Sequence, residues 1–247
     1  MPRSWFDFGN IGAALAGSQP DNTELFQAIT GVNLIDGLGR TLYMTQFNSG
    51  MAGWVTFNSA AALEPYLAGG GIGINPNIVG QSYTCVLDAG IVAGHTARLE
   101  KYLSLYDQHQ LGIEIGYRII GNPPNLQIGL NHRMRGRVTY RAIITIQHTL
   151  DIISILTEAG NIVLTGISMS TLPAGTEIQV KMVIDTNLGR YLRFMFNDRS
   201  LQVRNIALQE GTALVDGYYM AQIAALNSGT TSRSLRIGYV RLTRDEP

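Results

Sequence analysis

The sequence predicts an all-β chain, two antiparallel sheets packed as a sandwich behind a short N-terminal arm. Three observations predict it: side chains alternate with a period of two from about residue 41 onward, the alternating runs are separated by turn residues, and no amphipathic helix of three turns interrupts them. So many short strands on one chain close their apolar faces only by stacking two sheets. The domain division follows, with residues 1–40 as an arm and 41–247 as one sandwich.

The strands explain themselves in turn. Leu111, Ile113, Ile115, Tyr117 and Ile119 share one face, while Gly112, Glu114, Gly116 and Arg118 share the other. Leu126, Ile128 and Leu130 alternate with Gln127, Gly129 and Asn131. Val180, Met182 and Ile184 alternate with Lys181 and Asp185, and Leu192, Phe194 and Phe196 with Arg193, so Phe194 and Leu192 are expected in the core beside Met182 and Ile184. Strands are expected at 41–48, 53–58, 82–89, 96–105, 111–120, 125–132, 137–148, 151–157, 161–165, 177–186, 190–197, 200–204, 217–226 and 233–243. Asn197-Asp198 reads as a tight hairpin turn, Asp185 to Gly189 as a longer one, and Pro123-Pro124 as a strand breaker. The glycine-rich run 69–77 is expected to be a surface loop.

The arm differs. Trp5, Phe6 and Phe8 crowd three rings into four positions, in a segment too short to bury them, which marks them as interface anchors. Asp21 to Glu24, followed by Leu25, Phe26 and Ile29, reads as a capped helix of two turns.

Composition excludes several functions. Eighteen basic and eighteen acidic residues balance, so phosphate neutralisation on nucleic acid is not expected. All the basic residues except Lys101 and Lys181 are arginine. No apolar run approaches a membrane span, and the first residues do not read as a secretory signal, so a protein made and kept in a cytoplasm is expected. The single cysteine, Cys85, lies within a strand and reads as a small buried apolar group.

A resemblance adds to this reading. Phe47 to Trp54 carries a Phe-x-x-Gly-x-x-Gly-Trp pattern. The runs 82–90, 97–103 and 111–117 follow it, and a strand over 177–185 turns into Gly189-Arg-Tyr-Leu-Arg-Phe-Met-Phe-Asn197. The pattern resembles the concanavalin A-like (laminin-G-like) jelly rolls over about residues 41–243. That fold serves lectins, glycanases, lyases and structural modules alike.

The carboxylate pattern that such glycanases use is broken in this sequence. A strand should present paired carboxylates about 5–5.5 Å apart for a retaining mechanism. Here Glu114 is followed by Gly116 and Arg118, so Glu114 is expected in a surface ion pair beside Arg118, and no catalytic residue is assigned. His95, His109, His132 and His148 lack ligand spacing and read as solvent-facing residues at strand ends, with His109 and His132 able to meet across adjacent strands. Asp185 and Asn187 are oxygen donors that a turn requires anyway; neither metal nor cofactor is expected. For a glycan, one of the adjacent Tyr218 and Tyr219 should face outward, while Trp54 packs inside. Arg133, Arg135 and Arg137 form the densest basic run, a contact for an acidic partner or a solvated loop.

The expected function is a non-enzymatic structural or interaction subunit of a larger assembly, such as the surface or decoration layer of a bacteriophage particle assembled in a host cytoplasm. The alternative is a carbohydrate-binding, lectin-like module. Expected partners are protein subunits of the same or a neighbouring type and, in the alternative, a glycan, without nucleic acid or membrane.

Overall fold

The computed structural model describes residues 39–45, 47, 53–58, 71–76, 83–103, 109–119, 123–133, 139–165, 167–169, 175–211, 218–229 and 234–246. The arm anchors Trp5, Phe6 and Phe8 and the expected helix lie outside these residues, as do Arg135 and Arg137.

Among the described residues sixteen strands form, in chain order: β1 Arg40–Thr45, β2 Val55–Asn58, β3 Gly71–Pro76, β4 Tyr83–Asp88, β5 Thr96–Leu103, β6 Gln110–Ile119, β7 Asn125–Arg133 and β8 Thr139–Gln147, then β9 Ile152–Thr157, β10 Gly160–Leu164, β11 Glu177–Asp185, β12 Arg190–Phe196, β13 Arg199–Gln202, β14 Gln209–Gly211, β15 Tyr218–Leu226 and β16 Ser234–Arg244. The described residues contain no helix. Sheet A runs β13-β12-β11-β6-β16-β4-β3, with β1 also paired to β16; sheet B runs β10-β9-β8-β7-β15-β5-β2, with β14 also paired to β8. Every pairing is antiparallel. The fold is an all-β antiparallel jelly-roll sandwich.

Between the sheets lies one apolar layer. Leu111, Ile113, Ile115 and Tyr117 of β6 face Leu126, Ile128 and Leu130 of β7 and Tyr219, Ala221 and Ile223 of β15 through it, all buried. Trp54 joins this layer, its indole Nε1 donating to the Tyr43 hydroxyl at 3.0 Å, and Cys85 is buried in it, its thiol pushed up to about 12 by burial. The hairpin turns form where expected, with Asn197 (φ 52°) and Gly189 (φ 61°) in the left-handed region their turns require.

Three expectations about local structure change. Gly71 to Pro76, read as loop, pairs with β4 as the edge strand β3. Its Gly-Ile-Gly-Ile order is itself a period-two pattern, and proline is tolerated at a sheet edge. β14, three residues long, is too short for alternation to reveal. In β12 a bulge shifts the register between Val183 and Ile184, so Ile184 pairs with Tyr191 instead of Leu192. Phe194 stays opposite Met182 in the core, but Tyr191 takes the inward place expected of Leu192. The Tyr191 hydroxyl donates to the Leu156 carbonyl at 2.8 Å and accepts from Ile143 N–H at 3.0 Å, tying sheet A to sheet B.

Candidate functional site

The outer face of sheet A is charged but closed. Glu114 is fully buried, not a surface residue, and its partner is not Arg118. Tyr239 donates to its Oε1 at 2.9 Å and Arg241 Nη1 to its Oε2 at 3.4 Å, while Arg118 pairs with Glu177 at 3.2 Å in solvent. The register explains the exchange: Arg241 and Lys181 lie directly opposite Glu114 on the two flanking strands. The intervening glycines make the room. A Cβ at Gly116 would overlap the Tyr239 ring, and one at Gly112 would overlap the Thr243 hydroxyl and the Glu246 carboxylate.

A second carboxylate completes the cluster. Glu246 meets Lys181 at 2.9 Å and Arg193 at 3.3 Å and accepts the Thr243 hydroxyl. Arg241 also donates to Thr41 Oγ1 at 2.9 Å and to the Gly39 carbonyl at 3.0 Å. Each carboxylate therefore faces cations, and the network holds the first and last described segments on the same face. Its chemistry is that of a clamp.

The outer face of sheet B is different. On β15 the inward residues are Tyr219, Ala221, Ile223 and Ala225, so Tyr218, Met220, Gln222 and Ala224 face out. Tyr219 thus belongs to the core, and of the two adjacent tyrosines only Tyr218 is available to a ligand. Its ring stands edge-on to Tyr102 of β5, centroids 5.3 Å apart, and Tyr102 is 44% exposed. Register sets Met220 between Tyr102 and Asn131, and Gln222 between Glu100 and Gly129. Gly129 leaves a gap in this row bounded by Gln222 and Ile143, its nearest side-chain neighbours.

The polar groups here fall into two kinds. Glu100 is buried and engaged, accepting from the Tyr102 hydroxyl at 2.5 Å and paired with Arg98 at 2.9 Å; Arg98 also covers the ring of Phe57, 40% exposed, at 4.5 Å. Burial and the Glu100 carboxylate push the Tyr102 hydroxyl up to about 12, so it stays a neutral donor. The amides of Asn131 and Gln222, by contrast, are buried residues with no hydrogen bond among the described side chains. An aromatic corner beside these amides, with exposed Arg141 opposite Asn131, suits a ligand rich in hydroxyls.

His132 is not a solvent-facing strand-end residue. His132 continues the inward series of Leu126, Ile128 and Leu130 and is fully buried, with neither ring nitrogen hydrogen-bonded. His109 precedes β6 in sheet A while His132 lies on β7 in sheet B, so the two approach across the sandwich rather than across adjacent strands. Burial, then the neighbouring His109, brings His132 down to about 4. His148 sits between the Pro124 carbonyl, 3.1 Å from Nδ1, and the Tyr117 hydroxyl, 2.9 Å from Nε2. A carbonyl only accepts, so Nδ1 carries the proton and Nε2 accepts from Tyr117. Burial lowers His148 to about 4 as well.

Asp185 spends one oxygen within its turn, Oδ1 accepting from Asn187 N–H at 2.8 Å and Leu188 N–H at 2.9 Å, and the other across the sheet, Oδ2 accepting from Gln110 of β6 at 3.3 Å. Arg133 ends β7 opposite Tyr218, and the rest of the basic run lies outside the described residues.

No protein-family model matches the sequence, and the curated proteins contain no match. Solved structures do match in shape. A conserved carbohydrate esterase of the Shiga toxin-encoding bacteriophage phi24B superposes with a TM-score of 0.52 at 10% identity, over 83% of this chain and 99% of that one. The laminarinase catalytic domain of Thermotoga maritima gives 0.52 at 9% identity, over 85% and 99%. Cellulose induced protein Cip1 gives 0.50 at 12% identity, over 81% and 96%. The chain has the concanavalin A-like lectin/glucanase jelly-roll fold. At these identities the likeness is one of fold, and a fold leaves the activity to be argued from the site.

Proposed function

We propose that the protein is a non-enzymatic interaction module that binds a glycan on the outer face of sheet B. The carrying observation is the Tyr102–Tyr218 corner on the face that also carries the amides of Asn131 and Gln222. Tyrosine rings cover the apolar faces of sugar rings while amides meet hydroxyls from both their donor and acceptor sides. Supporting the absence of chemistry, Glu114 is fully buried and engaged by Tyr239 and Arg241, and Glu100 is held by Arg98 and Tyr102. Titration calorimetry against oligosaccharides, chosen from a glycan array, tests the reading. Tyr102→Ala and Tyr218→Ala should each weaken binding about tenfold or more, the scale of a lost aromatic contact, with melting temperature unchanged. Turnover of any bound glycan that disappears in Glu100→Gln would overturn the non-enzymatic reading.

A second reading, a structural subunit of a larger assembly such as a phage particle surface, is favoured by one observation. Gly39, where the arm joins, is held against Arg241 and Glu246 on sheet A, on the side of the sandwich away from the proposed ligand face. An anchor there leaves sheet B turned outward. Deleting residues 1–20 should leave a folded domain that fails to join its assembly; a truncated protein that assembles normally would sink this reading.

A further inference from the structure

We infer that β10 is a self-association edge through which two copies of the chain join their B sheets. The strand closes one end of sheet B, with β9 on one side and no strand on the other among the described residues. Its residues, Gly160-Asn-Ile-Val-Leu164, carry no charge, no proline and no bulge. Those are the devices by which sheet edges ordinarily refuse a partner. Among the described residues the other edges have them or are too short: β13 carries Arg199, β3 ends in Pro76, β1 begins with Arg40, β2 has four residues and β14 three. On β10, Ile162 is 44% exposed and Val163 54% exposed. Adjacent strand residues point to opposite faces. The edge therefore shows apolar surface on both faces, which ordinary strand solvation does not explain.

Register selects the partner. Two identical strands pair antiparallel about an axis normal to the sheet, and directly opposed residues then point to the same face. Only like-parity pairs are allowed. Centring the axis on Val163 opposes Val163 to Val163, Ile162 to Leu164 and Asn161 to Thr165, all uncharged. Because Ile162 pairs with core Ile155 and Leu164 packs against the core, this register also carries the apolar inner layer across the joint. A second copy fits this edge at every position. The sheet so formed lays the two proposed ligand faces on one side, although the association does not depend on that reading.

The experiment uses the full chain. Sedimentation and light scattering should give twice the 26.9 kDa chain mass at high concentration, falling to one chain mass on dilution. Val163→Lys, on an exposed position, should abolish the dimer and leave the far-ultraviolet circular dichroism, and the melting temperature measured at dilution where the wild type is also monomeric, unchanged. A crosslink fixes the register without relying on loss. Opposed residues have Cα atoms about 4.5–5.5 Å apart, within disulfide reach, so Val163→Cys should form an intermolecular disulfide on mild oxidation. Asn161→Cys, opposed to Thr165 instead of to itself, should not. The one native thiol, Cys85, is buried and does not compete. A wild-type chain that is monomeric at all concentrations, a dimer unaffected by Val163→Lys, or crosslinking by Asn161→Cys in place of Val163→Cys would overturn the inference.

Discussion

Replacing Glu246 by glutamine should cost far more than a change near the chain end ordinarily does. Both side chains of the Lys181–Glu246 pair are fully buried at 2.9 Å, and Arg193 shares the same carboxylate. With Glu246 intact, Glu114 and Glu246 face Lys181, Arg193 and Arg241; with it neutralised, three cations face one carboxylate. Removing one partner of a buried pair leaves the other charge desolvated, at about 3–5 kcal/mol. For a chain of this size each kcal/mol moves the melting temperature by about 2–4 °C, so a drop of about 6–20 °C is expected.

Urea unfolding followed by circular dichroism measures the change directly, and an unaltered slope against denaturant certifies that stability and not compactness has moved. The exposed Arg118–Glu177 pair supplies the control: Glu177→Gln should cost about 0–1 kcal/mol, and only there should added salt matter. Combining Lys181→Met with Glu246→Gln should recover part of the loss, because the stranded ammonium is gone. If Glu246→Gln cost less than about 1 kcal/mol, water or rearrangement would be relieving the charge, and the clamp on sheet A would not hold as described.

Two further outcomes are expected. Phe194→Ala, which empties a core place opposite Met182, should destabilise by about 3–5 kcal/mol, and an effect below about 1 kcal/mol would show that Phe194 does not face the core. Stability should fall as pH drops from 6.5 toward 4, because His132 and His148, each held near 4 in the folded chain, bind protons in the unfolded chain first. That contribution is fully present above 6.5 and lost through the folded values, up to roughly 3 kcal/mol for buried His132. Melting curves at several pH values check it, and His132→Leu should flatten the slope.

What the sequence made legible is what a period of two can carry. Alternation placed Phe194, Met182, Tyr117 and Leu130 inward, and the same count puts His132 inward too, two residues beyond Leu130. Reading it as a strand-end residue set chemical habit above the periodicity that had located its neighbours. Leu192 shows the converse: the count was right, but a one-residue bulge moved Tyr191 into the core, and a bulge leaves no mark in alternation. Glu114 was hidden for a third reason. Its outward direction was legible, but the partners that bury it come from Arg241, 127 residues away, and Tyr239, 125 away, and only sheet order brings them together. The ligand face has the same origin. Tyr218 was found because adjacent residues must part, whereas Tyr102, Asn131 and Gln222 gain their meaning from β15 lying between β5 and β7. A single strand cannot show that Gln222 has Glu100 on one side and a glycine gap on the other. Sites spread over a sheet are written across it, one residue per strand. Their recognition therefore depends on strand order, which local pattern does not encode.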